Sequence, residues 1–105
     1  MKALKVLLTR RAESQLDALP RPAARRVVNA LRILAGAPHS GRPYPYDSPF
    51  SGLFYKNVVV RARRWSYRVT YEIDDDGGAI LVHYLYPSSY PPTHPDLGRR
   101  RPEDE

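Results

Sequence analysis

Residues 67–74 have the sequence YRVTYEID, and their alternating side chains are the strongest indication of the fold in this chain. The odd-numbered members are apolar or aromatic and share one face, whereas the even-numbered members are polar and share the other. A period of two residues predicts a half-buried strand. The turn Asp75-Asp76-Gly77-Gly78 and a second apolar run over 79–86 follow, so the segment predicts a β-hairpin. Arg68 projects from the face away from the core, where a rigid strand can hold its guanidinium against a phosphate.

The upstream sequence predicts a short strand and two helices. Residues 3–8 are apolar apart from Lys5, and Thr9 is a suitable N-cap for a helix over about 10–19. Pro20-Arg21-Pro22 ends that helix and begins a second one, which Gly36 terminates. Each helix carries an apolar stripe at helical spacing. The stripes comprise Ala12, Leu16 and Leu19 in the first helix, and Val27, Leu31 and Leu34 in the second.

The resulting order β-α-α-β-β-β predicts an α+β fold, with a helical hairpin packed on one face of a roughly four-stranded antiparallel sheet. We expect the first strand to pair antiparallel with a strand over 53–60, and the last two strands to extend the sheet as a meander. Residues 37–52 are rich in Pro, Gly and Ser and predict an irregular loop that covers a sheet edge or borders a cleft. The second sheet face is left for solvent or a ligand. Residues 1–97 form the single predicted domain, and 98–105 a disordered charged tail.

Composition narrows the class of protein. A chain of 105 residues forms one domain, and the absence of cysteine excludes disulfides and thiolate metal sites. The absence of cysteine also fits a reducing cytoplasm, which is the expected compartment. No apolar run approaches the ~20 residues that span a membrane. Eight basic and two acidic residues lie before Ala37, so this third carries the whole net charge of +6. Such a surface favours nucleic acid or an acidic protein as partner, although the outer helix arginines also fit a solvated face.

No metal or cofactor is expected from the sequence. The histidines lack partners at metal-ligand spacing, and Asp74-Asp75-Asp76 lacks the spacing of a calcium loop.

The string Tyr-Arg-Val-x-Tyr-Glu-Ile before an acidic turn, in this order of elements, resembles the RelE/ParE toxin superfamily of bacterial type II toxin–antitoxin modules. Shorter similarities support it: Arg11-Ala12-Glu13, Leu16-Asp17-Ala18-Leu19-Pro20, Gly41-Arg42-Pro43 and Leu53-Phe54-Tyr55. The resemblance implies a toxin held inactive by an acidic antitoxin. Some members cut messenger RNA in the ribosomal A site, whereas others poison DNA gyrase and have no nuclease chemistry.

The resemblance also implies roles for particular residues. Arg68 matches the phosphate-binding or catalytic arginine of the RNA-cleaving members, while Lys56 and Arg61 approximate basic residues of the second strand and its turn. Arg63 and Arg64 extend this predicted RNA-binding set. Many members have Gly-His-Arg or Gly-Lys-Arg after the last strand, but here residues 86–90 are YPSSY, without a basic residue.

Cleavage by a 2′-hydroxyl needs a proton acceptor, a proton donor for the leaving oxygen and positive charge over the phosphate. Arg68 suits the last role. His83 is the candidate acid or base because histidine titrates near neutral pH. His83 shares the face of Arg68 if Val82, Tyr84 and Tyr86 face the core. Tyr90 is the candidate to stack on a base or donate a proton, and Tyr44 and Tyr46 either stack or pack against the sheet.

Three functions remain open at this level. The first is a RelE-like toxin that binds mRNA on the ribosome and cleaves or occludes it, and the others are a ParE-like gyrase poison and a diverged antitoxin-binding module without activity. Arg68 with Lys56 and Arg61 favours the first, and the missing downstream basic residues favour the others. Whether the chain is an endoribonuclease therefore stays open.

Overall fold

The computed structural model describes residues 3–61 and 65–88, which form two α-helices and five strands. The elements in chain order are β1 (Lys5–Leu8), α1 (Arg10–Asp17), α2 (Arg21–Gly36), β2 (Arg42–Pro43), β3 (Phe54–Arg61), β4 (Trp65–Asp74) and β5 (Ala79–Pro87), with a short 3-10 turn at Pro38–Ser40. The strands form one sheet in the order β1-β5-β4-β3-β2. The structure therefore confirms an α+β fold with a helical hairpin on a sheet.

Capping by Thr9 and a proline in the first turn explain where the two helices begin. The Thr9 hydroxyl accepts a hydrogen bond from the Ala12 N–H at 3.1 Å and caps α1. The same hydroxyl donates to the His83 carbonyl at 3.2 Å, so the cap also joins α1 to β5. Pro22 lies in the first turn of α2, where its missing N–H costs no helical hydrogen bond.

The helical stripes and one face of the sheet form the main core, as the sequence predicts. The buried members are Ala12, Val27, Leu31, Leu34, Val58, Val69, Tyr71, Ile80, Val82 and Leu85. Leu16, Leu19, Tyr67 and Ile73 pack against them while partly buried. Because both helices cover this face, the side chains that alternate to the opposite face, Arg68 among them, are kept away from the main core.

The prediction for β1 is wrong in its partner. β1 pairs parallel with β5, from Lys5 opposite Ala79 to Leu8 opposite Val82, and does not pair with β3. The sheet is therefore mixed, and its fifth strand is β2, within the segment predicted as loop. The 16 residues of α2 span about 24 Å, which is enough to carry the chain across the sheet to the other edge.

A second, smaller core covers part of the opposite face, which we expected to be open. It consists of Tyr44, Phe50, Leu53, Tyr84 and Tyr86, with Tyr55 packed against them. The segment between α2 and β3 thus lies over the sheet and does not merely border it. Backbone hydrogen bonding from the Tyr44 N–H to the Leu53 carbonyl at 3.0 Å closes this covering loop.

A bulge in β5 decides which side chains face each core. Thr70 pairs with Tyr84, whereas the next residue, Tyr71, pairs with Val82, so His83 has no partner on β4. The extra residue reverses the alternation of β5. Val82 consequently packs in the main core and Tyr84 in the smaller one, although simple alternation places them on one face.

Candidate functional site

Arg68 lies on β4 and is held by two neighbours on β3. Its Nε donates to the Asn57 Oδ1 at 3.1 Å, and its guanidinium carbon lies 4.4 Å from the centre of the Tyr55 ring. Asn57 pairs directly with Arg68 in the ladder, and Tyr55 lies two residues away on the same face. The hydrogen bond and the cation–π contact together restrict a side chain that would otherwise move freely.

A polar depression of about 320 Å³ surrounds this arginine. It is lined by Ser40, Gly41, Arg42, Tyr55, Lys56, Asn57 and Arg68. The lining contains basic side chains and no carboxylate. Two guanidinium groups in an open polar depression favour an anion, and their planar forks suit phosphate oxygens.

A buried hydroxyl network supports the sheet beside Arg68. The Tyr44 hydroxyl lies 2.9 Å from the Thr70 Oγ1 and 3.0 Å from the Tyr86 hydroxyl, and Tyr86 is paired with Arg68. Burial raises the pKa of Tyr44 far above its usual range, although the charge of Arg68 opposes this weakly. The phenol therefore stays neutral near pH 7 and cannot act as a base. Its ring is buried and not available for stacking on a nucleotide, in contrast to Tyr46, which is 92% exposed.

His83 is separate from this depression. Its Nε2 lies 2.9 Å from the Glu72 Oε1, and its Nδ1 is buried without a hydrogen-bond partner among the residues that the structure describes. The register puts His83 beside Thr70 and Tyr71 of β4, two to three residues from Arg68, and His83 is not among the residues that line the depression. The structure therefore places His83 on the Arg68 side of the sheet but does not bring the two side chains together. Its role as acid or base stays a prediction.

The other predicted RNA-binding residues are only partly placed. Lys56 pairs with Val69, so alternation directs its side chain to the helix side of β3, while the residue contributes to the rim of the depression. Arg61 ends β3, and its side chain lies outside the described part of the structure. Arg63, Arg64 and Tyr90 also lie outside the described residues, as does the predicted tail at 98–105.

Sequence reasoning missed Asn57 and Arg42 as members of the site. Asn57 follows Tyr55 by two residues and therefore shares its face, so the alternation of β3 was a usable signal. Arg42 belongs to the Gly-Arg-Pro segment, but its position depends on the pairing of β2 with β3, which the sequence does not reveal.

A second depression, of about 490 Å³, lies on the outer face of α2. Its lining consists of Arg21, Ala24, Arg25, Val28, Asn29 and Arg32. No acidic residue occurs in α2, so the groove combines a short apolar strip with uncompensated positive charge. This arrangement favours an acidic partner.

Two further findings concern the described residues alone. Their helices include none with the length and apolar character needed to cross a membrane. Within the same part of the chain, no three histidine, aspartate or glutamate side chains form a cluster that could hold a metal ion.

Comparison with known proteins identifies the family of the chain. The family model described as "ParE toxin of type II toxin-antitoxin system, parDE" matches residues 6–85, so the chain belongs to this family. It is the toxin component of a type II toxin–antitoxin system and a member of the RelE/ParE superfamily. No curated relative matches the chain.

Solved structures share the fold. The toxin–antitoxin complex RelBE2 of Mycobacterium tuberculosis has a TM-score of 0.68 and 26% identity, over 86% of this chain and 97% of that one. A double arginine-to-alanine variant of Escherichia coli RelE in the free state has a TM-score of 0.66 and 13% identity, over 84% of this chain and 86% of that one. The archaeal RelE–RelB complex of Pyrococcus horikoshii has a TM-score of 0.58 and 18% identity, over 86% of this chain and 100% of that one. At these identities the last two show the fold alone.

Proposed function

We propose that this toxin binds messenger RNA on the ribosome, with Arg68 contacting a phosphodiester. The observation that carries the proposal is the restrained Arg68 guanidinium, held by Asn57 and stacked on Tyr55, in a depression that contains a second arginine and no carboxylate. A ribosomal target also puts the toxin in the cytoplasm. RNA is favoured because the depression is polar and open, as a site for a flexible, charged strand should be.

We expect binding to matter more than cleavage. Arg68 supplies positive charge for a phosphorane-like transition state, but the described lining of the depression includes no histidine or carboxylate that could move a proton. His83 is not among the residues that line the depression, and its Nε2 is engaged by Glu72. Tyr90, outside the described residues, is the remaining predicted proton donor. Cleavage by the native toxin is therefore expected to be slow.

The test combines purified toxin with translating ribosomes, and maps message ends together with the rate of peptide synthesis. Arg68→Ala should reduce any cleavage about 10²–10³-fold, the usual loss for one preorganised donor. His83→Ala should reduce it about 10²-fold if the imidazole moves a proton, and should leave it unchanged if His83 is structural. Arg26→Ala, which removes an exposed arginine of α2 that lines neither depression, is the matched control. Equal inhibition of translation by native and Arg68→Ala toxin would refute the proposal.

A gyrase poison is the second candidate, because the matching family model is that of the ParE toxins. The same preparations are therefore added to a supercoiling assay with purified DNA gyrase. Inhibited supercoiling with normal translation would assign the protein to this class.

We further propose an acidic antitoxin as the partner of the toxin. Two of the structural neighbours are complexes with an antitoxin, and the outer groove of α2 has the charge to bind an acidic segment. Such binding should weaken as salt rises, since exposed charges are screened beyond about 10 Å at 0.1 M. Co-expression with a small acidic product of the neighbouring reading frame should relieve growth arrest, and Arg25→Glu should reduce that rescue. A neighbouring product that neither binds nor rescues would contradict this assignment.

A further inference from the structure

The contacts of Arg68 leave only part of its guanidinium for a ligand. Nε is occupied by Asn57, and one face of the plane is covered by the Tyr55 ring. The two terminal nitrogens are not needed for either contact. Among the residues that the structure describes, no carboxylate forms an ion pair with Arg68, and Glu72 contacts His83 instead. The charge is thus held in place while its strongest donors remain available.

Arg42 is brought to the same depression by a tightly packed turn. A Cβ at Gly41 would overlap the Tyr71 hydroxyl and would lie 2.8 Å from the Tyr55 carbonyl oxygen. Only a glycine allows the backbone to approach the sheet this closely without displacement. The Tyr71 hydroxyl also donates to the Pro38 carbonyl at 2.6 Å, which anchors the preceding turn. The loop that carries Arg42 is consequently a rigid support.

The sheet register directs Arg42 and Arg68 to one side. Arg42 pairs with Tyr55, and Arg68 pairs with Asn57, so all four residues share a face. Two strand spacings across and two residues along put the arginine Cα atoms about 12 Å apart. Two extended arginine side chains can converge across this distance on one small anion. Both residues line the same depression of about 320 Å³.

We propose that Arg42 and Arg68 form a two-arginine clamp for one phosphate group of RNA, and that Asn57 is the positioning residue that orients Arg68. The inference rests on the proposed function, in which RNA supplies that phosphate. Tyr55 acts in the clamp as a support for the guanidinium, since its covered ring face is not available to a base. The outer face of the guanidinium can itself accept a stacked base.

Binding of phosphate to the clamp is tested first by titrating the toxin with inorganic phosphate. NMR monitors the backbone N–H and arginine Nε–H signals during the titration. Phosphate should shift the Arg42 and Arg68 signals in a saturable way, and acetate should not. Arg42→Ala and Arg68→Ala should each abolish the response at the partner arginine, whereas the control Arg26→Ala should retain it. Absence of a saturable response in the native toxin, or an equal response to acetate, would overturn the clamp.

Binding to labelled single-stranded RNA and to DNA of the same sequence then identifies the source of the phosphate. Arg42→Ala and Arg68→Ala should each weaken RNA binding about 10-fold or more, as expected for loss of a charge-assisted hydrogen bond. Each should also lower the dependence of log K on log salt by about 0.7. If Arg42→Ala lowers the Tm, the measurement is repeated with Arg42→Gln, which removes the charge but keeps a long polar side chain. RNA binding that persists unchanged without Arg42 would refute the clamp, and tighter binding to DNA would refute RNA as its ligand.

The role of Asn57 is isolated by a double-mutant cycle. Asn57→Ala should weaken RNA binding about 3- to 10-fold with an unchanged salt dependence, because no charge is removed. It should have no further effect in an Arg68→Ala background if it acts only through Arg68. An equal loss in both backgrounds would show a direct or structural role and would refute positioning. If the clamp binds phosphate and RNA but translation proceeds normally, the proposed function fails and the clamp stands.

Discussion

Removing the Tyr44 hydroxyl should destabilise the protein much more than removing the hydroxyl of Tyr46, two residues along the same loop. The Tyr44 hydroxyl contacts the Thr70 Oγ1 at 2.9 Å and the Tyr86 hydroxyl at 3.0 Å. Thr70 is fully buried and Tyr86 is 2% exposed, so water cannot easily replace the lost partner. Leaving buried polar groups unsatisfied costs about 1–3 kcal/mol, which is the loss expected for Tyr44→Phe.

Urea unfolding monitored by circular dichroism measures this loss. The slope of unfolding free energy against urea concentration should not change, which indicates that the folded and unfolded states keep their compactness. Tyr46→Phe is the matched control, since its side chain is 92% exposed and should change stability by less than about 0.5 kcal/mol. For a domain of this size, the expected decrease in Tm for Tyr44→Phe is about 5–20 °C. Equal stability of the two variants would refute the buried network.

A second mutation tests whether the hydroxyls act as a unit. Thr70→Val added to Tyr44→Phe removes both members of one hydrogen bond and leaves neither of them unsatisfied. The double variant should therefore lose less stability than the two single variants combined, with a coupling of about 0.5–3 kcal/mol. Strictly additive losses would show that Tyr44 and Thr70 are energetically independent.

Three other predictions concern packing and pH. Leu31→Ala should lower the free energy of unfolding in urea by roughly 2–5 kcal/mol because Leu31 is buried in the main core. Ile33→Ala is the control and should be nearly neutral, since Ile33, also in α2, is 68% exposed. Gly41→Ala should cost about 1–3 kcal/mol through overpacking and also weaken RNA binding through displacement of the adjacent arginine, while Gly36→Ala, with no atom near its Cβ, should lose nothing. Burial raises the folded-state pKa of Tyr44, so its contribution is complete below about pH 10 and is lost as pH rises further. Unfolding free energy should accordingly fall in alkali, and less steeply in Tyr44→Phe.

The part of the site that could be predicted from the sequence depends on short-range alternation. The immediate neighbours of Arg68 alone predict that it lies on the face opposite the helices, and the structure confirms that placement. Asn57 was within reach of the same reasoning. Arg42 was not, because its approach to Arg68 requires a two-residue strand inside a segment whose composition predicts a loop.

His83 shows why the register of β5 could not be derived. Alternation alone gives Val82 and Tyr84 a common face, but the bulge separates them into two cores. A bulge leaves no periodic signal in the sequence, since it depends on how the neighbouring strand and α1 pack. The Thr9 hydroxyl that holds the His83 carbonyl lies 74 positions away along the chain.

Local sequence patterns are enough to predict the two amphipathic helices, the hairpin of β4 and β5, and the face on which Arg68 lies. These features follow from side-chain period and backbone preference, which act over a few residues. Long-range packing establishes the parallel pairing of β1 with β5, the second core under the 37–52 loop and the approach of Asn57 and Arg42 to Arg68. Periodicity states which face a side chain takes but not which strand lies beside it, because strand neighbours are chosen by the burial of the whole sheet.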